Sequence, residues 1–251
     1  MASALLAGAL AVVGGGYAAI ASVQPAVAAG AEGSQTQVEK GRQLYLEGCS
    51  SCHGLEAQGS ATGPTLVGVG AAAANFQVST GRMPLADPGA QAPSKQNIYS
   101  DEDVAALAAY VASLGPGPAI PTAEQIDYSN ADPAYGGELF RINCSQCHQA
   151  AGEGGALTDG KYAPNLMQSS PQTIYEAMLT GPQNMPVFSD AQLPTADKQA
   201  IIAYVRTMQE SPNPGGISLG RFGPVSEGVF MATALFAALI GAAVWIGIKA
   251  R

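Results

Sequence analysis

All four cysteines and both histidines of this 251-residue chain fall in two five-residue runs. Cys49-Ser50-Ser51-Cys52-His53 recurs ninety-five positions later as Cys144-Ser145-Gln146-Cys147-His148. C-x-x-C-H is the attachment pattern of c-type haem: the two thiols add to the porphyrin vinyl groups, and the histidine that follows becomes the proximal iron ligand. Two such runs imply two covalently bound haem c groups. One is carried by Cys49 and Cys52 with His53 on iron, the other by Cys144 and Cys147 with His148. No thiol or imidazole is left for other chemistry.

A C-x-x-C pair has two other common uses. Two pairs can build a four-cysteine zinc site, but such pairs typically stand about 15 to 20 residues apart, and here ninety-one residues separate Cys52 from Cys144. A redox dithiol sits beside a βαβ pattern, whereas both flanks here read as helix. Neither use explains a histidine after each pair.

With both histidines consumed, a methionine thioether is the good remaining candidate for the sixth iron ligand. Met83 is the only methionine of the first domain; the second domain offers Met167, Met178, Met185 and Met208. Met185 alone shares the Met-Pro context of Met83-Pro84. A proline restricts the residue before it to extended backbone, which suits a loop that must hold sulfur against iron. Met178 and Met208 fall on helix faces and read as packing, and Met167 is the runner-up ligand. Histidine opposite methionine raises the haem potential and fills the coordination sphere. That describes an electron carrier rather than an open catalytic iron, and no catalytic residue is assigned.

The elements that must position these groups are helical and duplicated. An amphipathic helix from Gln35, with Val38, Gly41, Leu44 and Tyr45 on one side, leads into Cys49. Gly136, Leu139 and Phe140 stand at the same distances before Cys144. The glycine permits close helix approach, and the aromatic can lie against haem or against another helix. Beyond each motif, Gly63-Pro64-Thr65-Leu66 answers Ala163-Pro164-Asn165-Leu166, and Thr80-Gly81 answers Thr180-Gly181. Ser170 as N-cap, Pro171 at the first position and Gly181-Pro182 at the end bracket a helix. Each half closes with a further helix, Asp101 to Leu114 capped by Ser100 and Ala196 to Gln209 capped by Thr195. Asp103, Leu107, Tyr110, Val111 and Leu114 align with Asp197, Ile201, Tyr204, Val205 and Met208.

The expected class is therefore mainly α: two tandem cytochrome c-like domains, an N-terminal apolar segment and a C-terminal transmembrane helix. Residues 1–34 are a signal peptide or an N-terminal membrane anchor; basic residues are missing ahead of the apolar run, and Gly14-Gly15-Gly16 is a poor helix centre in water. Residues 35–115 form the first domain and 135–210 the second. Between them the proline-rich linker 116–134 is expected to be extended and semi-rigid. After the connector 211–228, residues 229–248 give twenty positions without a charge, the length of a bilayer-spanning helix. Lys249 and Arg251 follow, so the positive-inside rule places the C-terminus in the cytoplasm and the haem domains outside. The net charge of −8 disfavours nucleic acid and favours a partner with a basic face. Met83 to Asp103 is longer than Met185 to Asp197, and the extra length, within 85–99, is polar and proline-containing. Such a loop is expected to contact another subunit.

More specific runs lie around the motifs: Gly136-Gly137-Glu138-Leu139-Phe140-Arg141-Ile142-Asn143, then Gly154-Gly155-Ala156-Leu157-Thr158 and Gly160-Lys161-Tyr162-Ala163-Pro164, then Leu219-Gly220-Arg221-Phe222-Gly223-Pro224-Val225-Ser226-Glu227-Gly228. On these the chain, from about Gln35 to Arg251, resembles the dihaem cytochrome c subunit of the actinobacterial cytochrome bcc menaquinol:cytochrome c reductase complex, built of tandem class I cytochrome c domains. The resemblance implies a subunit of a proton-motive oxidoreductase whose own role is to carry electrons. It implies partnership with a cytochrome b subunit and a Rieske iron-sulfur subunit, and delivery to a haem-copper oxidase in a supercomplex. It implies too that the first haem receives the electron and the second passes it on. Two other readings fit the same motifs: the anchored dihaem subunit of another oxidase or periplasmic dehydrogenase, and a dihaem peroxidase. Co-purifying subunits separate the first, and a methionine-sulfur charge-transfer band in both oxidised haems argues against the second.

Overall fold

In each half of the chain a glycine sets how closely two helices cross. The computed structural model describes residues 34–87, 89–211 and 224–250; nearly all of the N-terminal segment and most of the 211–228 connector lie outside the described residues. Helix α1 (Gln35–Gly48) starts on Ser34, whose hydroxyl accepts the Gln37 N–H at 3.3 Å, and stops at Cys49. The backbone kinks there, and the haem motif makes its own single turn, α2 (Ser50–His53). After α3 (Gly70–Ser79) comes α4 (Asp101–Ser113), capped by Ser100 onto the Asp103 N–H as expected. Helix α1 packs across α4 at Gly41, where a Cβ would lie 1.9 Å from the Ala106 carbonyl oxygen.

The second half repeats the plan. Helix α5 (Ala123–Ile126) precedes α6 (Pro133–Asn143), α7 (Ser145–His148), α8 (Pro171–Thr180) and α9 (Thr195–Glu210). Helix α6 packs on α9 at Gly136, where a Cβ would meet the Ala200 carbonyl oxygen at 1.8 Å. The aromatic ahead of each motif lies against the closing helix: Tyr45 stacks 5.1 Å from Tyr110, and Phe140 lies 5.3 Å from Tyr204. An equivalent polar tie joins each pair of helices. Lys40 bridges to Glu102 and Asp103 at 2.8 Å, and Tyr135, at the corresponding position before Gly136, donates to Asp197 at 3.3 Å. One core gathers Tyr45, Val78, Leu107 and Tyr110, the other Phe140, Tyr175, Ile201 and Ile202.

Two expectations need adjustment. Thr195 is not a cap: Pro194 offers its carbonyl to the Asp197 and Lys198 N–H groups, so the helix begins one residue earlier and the Thr195 hydroxyl turns to Tyr175, 3.2 Å away. The linker is not extended throughout, because Thr122 and Gln125 form a reciprocal capping box that nucleates α5. It is held by a helix of each domain, by Ala72 N–H to Pro118 O at 3.0 Å and, in its middle, by Gln199 to Glu124 O at 2.7 Å. Among the described residues a small hairpin, β1 (Gly155–Ala156) with β2 (Tyr162–Ala163), appears in the second domain and not in the first. The loop 85–99, expected to contact another subunit, also bonds the second domain of the same chain, through Gln91 and Ala92.

Helix α10 (Pro224–Lys249) contains a 22-residue stretch, Gly228–Lys249, of mean hydropathy 2.3 that is wholly exposed. At 1.5 Å per residue this is about 33 Å, the thickness of a bilayer's hydrocarbon core. Trp245 lies under the Lys249 ammonium at 5.3 Å, near the charged end.

Candidate haem sites

The kink before each motif is the same. Cys49 has φ −125° and ψ −31°, Cys144 φ −120° and ψ −36°, and each N–H still bonds back to the preceding helix, at Tyr45 O and Phe140 O, both at 2.8 Å. The cysteine carbonyl then accepts from the histidine N–H, at 3.0 Å for His53 and 2.9 Å for His148, which wraps the motif into one turn. Both thiols and the imidazole thus share one rigid turn. A residue with positive φ, Gly54 or Gln149, turns the chain away immediately after.

Both imidazoles are largely buried, at 8 % and 9 % exposure. His53 Nδ1 lies 2.7 Å from the Pro64 carbonyl oxygen, and His148 Nδ1 lies 2.9 Å from that of Pro164. A carbonyl only accepts, so Nδ1 carries the proton and Nε2 keeps its lone pair, which is how a metal-ligating histidine is oriented by its neighbours. Burial pushes the His148 pKa down while the Pro164 carbonyl opposes this. The cysteines are free, and burial pushes Cys49 up to about 11 and Cys144 up to about 12. Among the described residues no three His, Cys, Asp or Glu side chains converge as a metal cluster. The donor set fits c-type haem.

Sequence reasoning paired the prolines but gave them no role, because the spacing differs: Pro64 follows its histidine by 11 residues, Pro164 by 16. The hairpin in the second domain takes up the difference. Gly59 and Gly154 were missed as well, although each stands six residues after its histidine. Their N–H groups bond the histidine carbonyls at 2.7 and 3.0 Å, with φ of 88° and 78°. A Cβ on Gly59 would lie 2.6 Å from Thr65 N, and one on Gly154 2.3 Å from Ala163 O. These glycines let the peptide that carries the histidine acceptor press against the motif.

The methionines separate by environment. Met178 is buried in the second core at 2 % exposure, and Met208 packs at its edge. The Met167 and Met208 methyl groups both face Gly152. Met83 and Met185 are half-buried, each against the core of its own domain, on the loops that follow Thr80-Gly81 and Thr180-Gly181. Met83 N–H bonds Gln77 O at 2.9 Å, which ties its loop to the end of α3, and Met185 N–H bonds Pro182 O at 3.1 Å, a turn within its own loop.

Between the domains α3 meets α8. There Glu176 is 1 % exposed, and its Oε1 accepts from Asn75 of the first domain at 2.7 Å and from Gln172 at 3.0 Å. Burial lifts its carboxyl to about 7 against these two donors, which pull it down.

Comparison with known proteins agrees with this arrangement. The family model "Cytochrome c" matches residues 38–115, and "Cytochrome C oxidase, cbb3-type, subunit III" matches 131–205. The chain is 47 % identical over 244 residues to the cytochrome bc1 complex cytochrome c subunit of Mycobacterium tuberculosis, covering 94 % of this chain and 87 % of the relative. It is 46 % identical to that of Mycobacterium leprae, over 95 % and 84 %, and 47 % to that of Corynebacterium efficiens, over 85 % and 77 %. A solved chain of the Kuenenia stuttgartiensis reducing HAO-like complex aligns over 71 % of this chain and 98 % of its own, at 16 % identity and a TM-score of 0.36. Two cytochrome c-type domains, the C-x-x-C-H turns within them, and these identities along nearly the whole chain mean that this protein belongs to the cytochrome bc1 complex cytochrome c subunits, electron carriers with covalently bound haem c.

Proposed function

We propose that the chain is a membrane-anchored relay with two haem c groups, one in 35–115 and one in 135–210, passing electrons from a Rieske iron-sulfur centre of a menaquinol-oxidising complex to a haem-copper oxidase. Cys49 and Cys52 would hold the first haem and Cys144 and Cys147 the second, with His53 and Met83, and His148 and Met185, as the side chains that would ligate iron. When bound, each iron supplies a reversible one-electron change at a potential raised by the thioether. The observation that carries the reading is the matched pair of buried histidines, each with Nδ1 committed to a proline carbonyl and Nε2 left for iron. The cytochrome b subunit is the expected membrane neighbour of α10. Lys249 and Arg251 favour a cytoplasmic C-terminus, with both haem domains on the extracytoplasmic side.

Purification through this chain in mild detergent tests the reading. Two haems per chain on a haem-stained denaturing gel are expected, with cytochrome b, Rieske and oxidase subunits co-purifying; a chain without covalent haem sinks it. Met185→His tests the order, because imidazole lacks the thioether's preference for ferrous iron and lowers the second potential. Menaquinol should then still reduce the first haem rapidly while oxygen consumption slows. Loss of the first haem's rapid reduction reverses the order.

A further inference from the structure

The loop 85–99 forms a strap between the domains. Gln91 uses its whole amide on one residue: Nε2 donates to the Tyr162 carbonyl at 2.8 Å, and Oε1 accepts the Tyr162 N–H at 2.7 Å. Gln183 returns the same grip from the second domain, accepting the Ala92 N–H and donating to the Ala92 carbonyl, both at 3.2 Å. Ala92 is 6 % exposed, so its backbone groups need these partners. Gln183 sits at φ 59°, a region that side-chain-bearing residues other than Asn and Asp adopt at a cost. That conformation aims its amide across the junction.

The strap ends beside the candidate haem ligands. Tyr162 stands two residues before Pro164, the acceptor for His148, and Gln183 two residues before Met185. On the first-domain side the strap follows Met83-Pro84 and is fastened to that loop: Ser94 donates to Thr80 O at 2.9 Å and Lys95 Nζ to Pro84 O at 2.5 Å. At Gly81, φ 67°, a Cβ would lie 2.0 Å from the Lys95 carbonyl oxygen, so the strap passes directly over a position that needs glycine. One segment therefore joins the methionine loop of the first domain to both the histidine side and the methionine side of the second.

We propose that Gln91 and Gln183 are positioning residues that hold the two haem sites at one separation and orientation, so that electron exchange between them runs through a single fixed geometry. The inference rests on the two-haem relay reading. The extra length of the first methionine loop then serves the chain's own second domain.

The test uses full-length, haem-loaded protein in detergent: wild type, Gln91→Ala, Gln91→Glu and the double variant Gln91→Ala/Gln183→Ala. Amide hydrogen exchange at Tyr162 and Ala92 reports the strap, and rapid photoreduction of one haem followed by re-equilibration reports transfer. Losing two bonds at one residue should raise exchange at Tyr162 roughly thirtyfold in Gln91→Ala. Gln91→Glu, which keeps the acceptor for the Tyr162 N–H, should raise it less. In the double variant, haem-to-haem equilibration should slow severalfold and become multiphasic, while the absorption bands and midpoint potentials of both haems stay at wild-type values. Unchanged equilibration, with or without loss of amide protection, overturns the proposal; so does a shift of either haem's band or potential, which would place the effect inside a haem site. Failure of the relay reading looks different: wild type itself would hold fewer than two haems or show no transfer between them.

Discussion

Replacing Glu176 with Gln should remove one component of the protein's pH dependence of stability, the one lying between about pH 4.5 and 7. The carboxyl is 1 % exposed at the α3–α8 junction, and both of its hydrogen-bond donors, Asn75 and Gln172, are neutral amides. Burial raises it from 4.5 to about 7. A carboxyl raised on folding means that the native state binds the proton more tightly than the unfolded chain. Its contribution is fully present below about pH 4.5 and is lost as pH rises through about 7, with a total of about 3 kcal/mol. Glutamine has the same shape, keeps an acceptor for Asn75 and Gln172, and does not titrate. Glu176→Gln should therefore match wild type at pH 4.5 and exceed it by about 3 kcal/mol at pH 7 and above. The histidines in the haem motifs and the haem propionates are common to both proteins, so the difference between the two profiles isolates Glu176. Urea unfolding of haem-loaded protein at intervals between pH 4.5 and 8, followed by circular dichroism, measures the difference. Parallel stability profiles for the two proteins would refute the buried, proton-holding carboxyl.

Asn75→Ala removes a donor that favours the ionised form, so the Glu176 carboxyl should titrate higher still, visible as a shift of its infrared carbonyl band to higher pH; an unmoved band contradicts the contact. Gly59→Ala and Gly154→Ala should each cost about 1 to 3 kcal/mol from positive φ and from the clash with the proline-bearing peptide, read by urea titration, with wild-type midpoints as the contrary result. Gly41→Ala and Gly136→Ala place a Cβ within 2 Å of the facing helix backbone. They should lower stability by about 1 to 3 kcal/mol or more, seen as a fall in Tm. Cys49→Ala should leave a single thioether at the first site and a weaker haem band there, with the second site intact; equal loss of both haems would contradict two independent attachment turns.

Much of the site was legible because its chemistry is local. A C-x-x-C-H run is five consecutive residues, and one helical turn suffices to bring its thiols and imidazole together. The helices around it were readable for the same reason, from apolar spacing and from caps such as Ser100 and Ser170. The duplication made each half a check on the other. Spacing failed where the halves differ: the hairpin displaces Pro164 relative to Pro64, and the role common to the two carbonyls appears only when the rings are seen to point at them.

The sequence by itself determined the two attachment turns, the paired helical plan and the apolar final helix, since each is written in residues within a few turns of one another. Tertiary structure alone decided which polar groups lie inside. Glu176 becomes a buried acid only because α3 of the other domain covers it, 101 positions away. Lys198 is fully buried only because Asp190 at 2.6 Å and the Leu193 carbonyl at 2.7 Å receive it. Loop 85–99 reads from composition as a recognition surface, and only the structure shows its bond to the backbone of Tyr162, 71 positions on. Burial and long-range pairing depend on which distant surfaces meet, and helical periodicity carries no record of that.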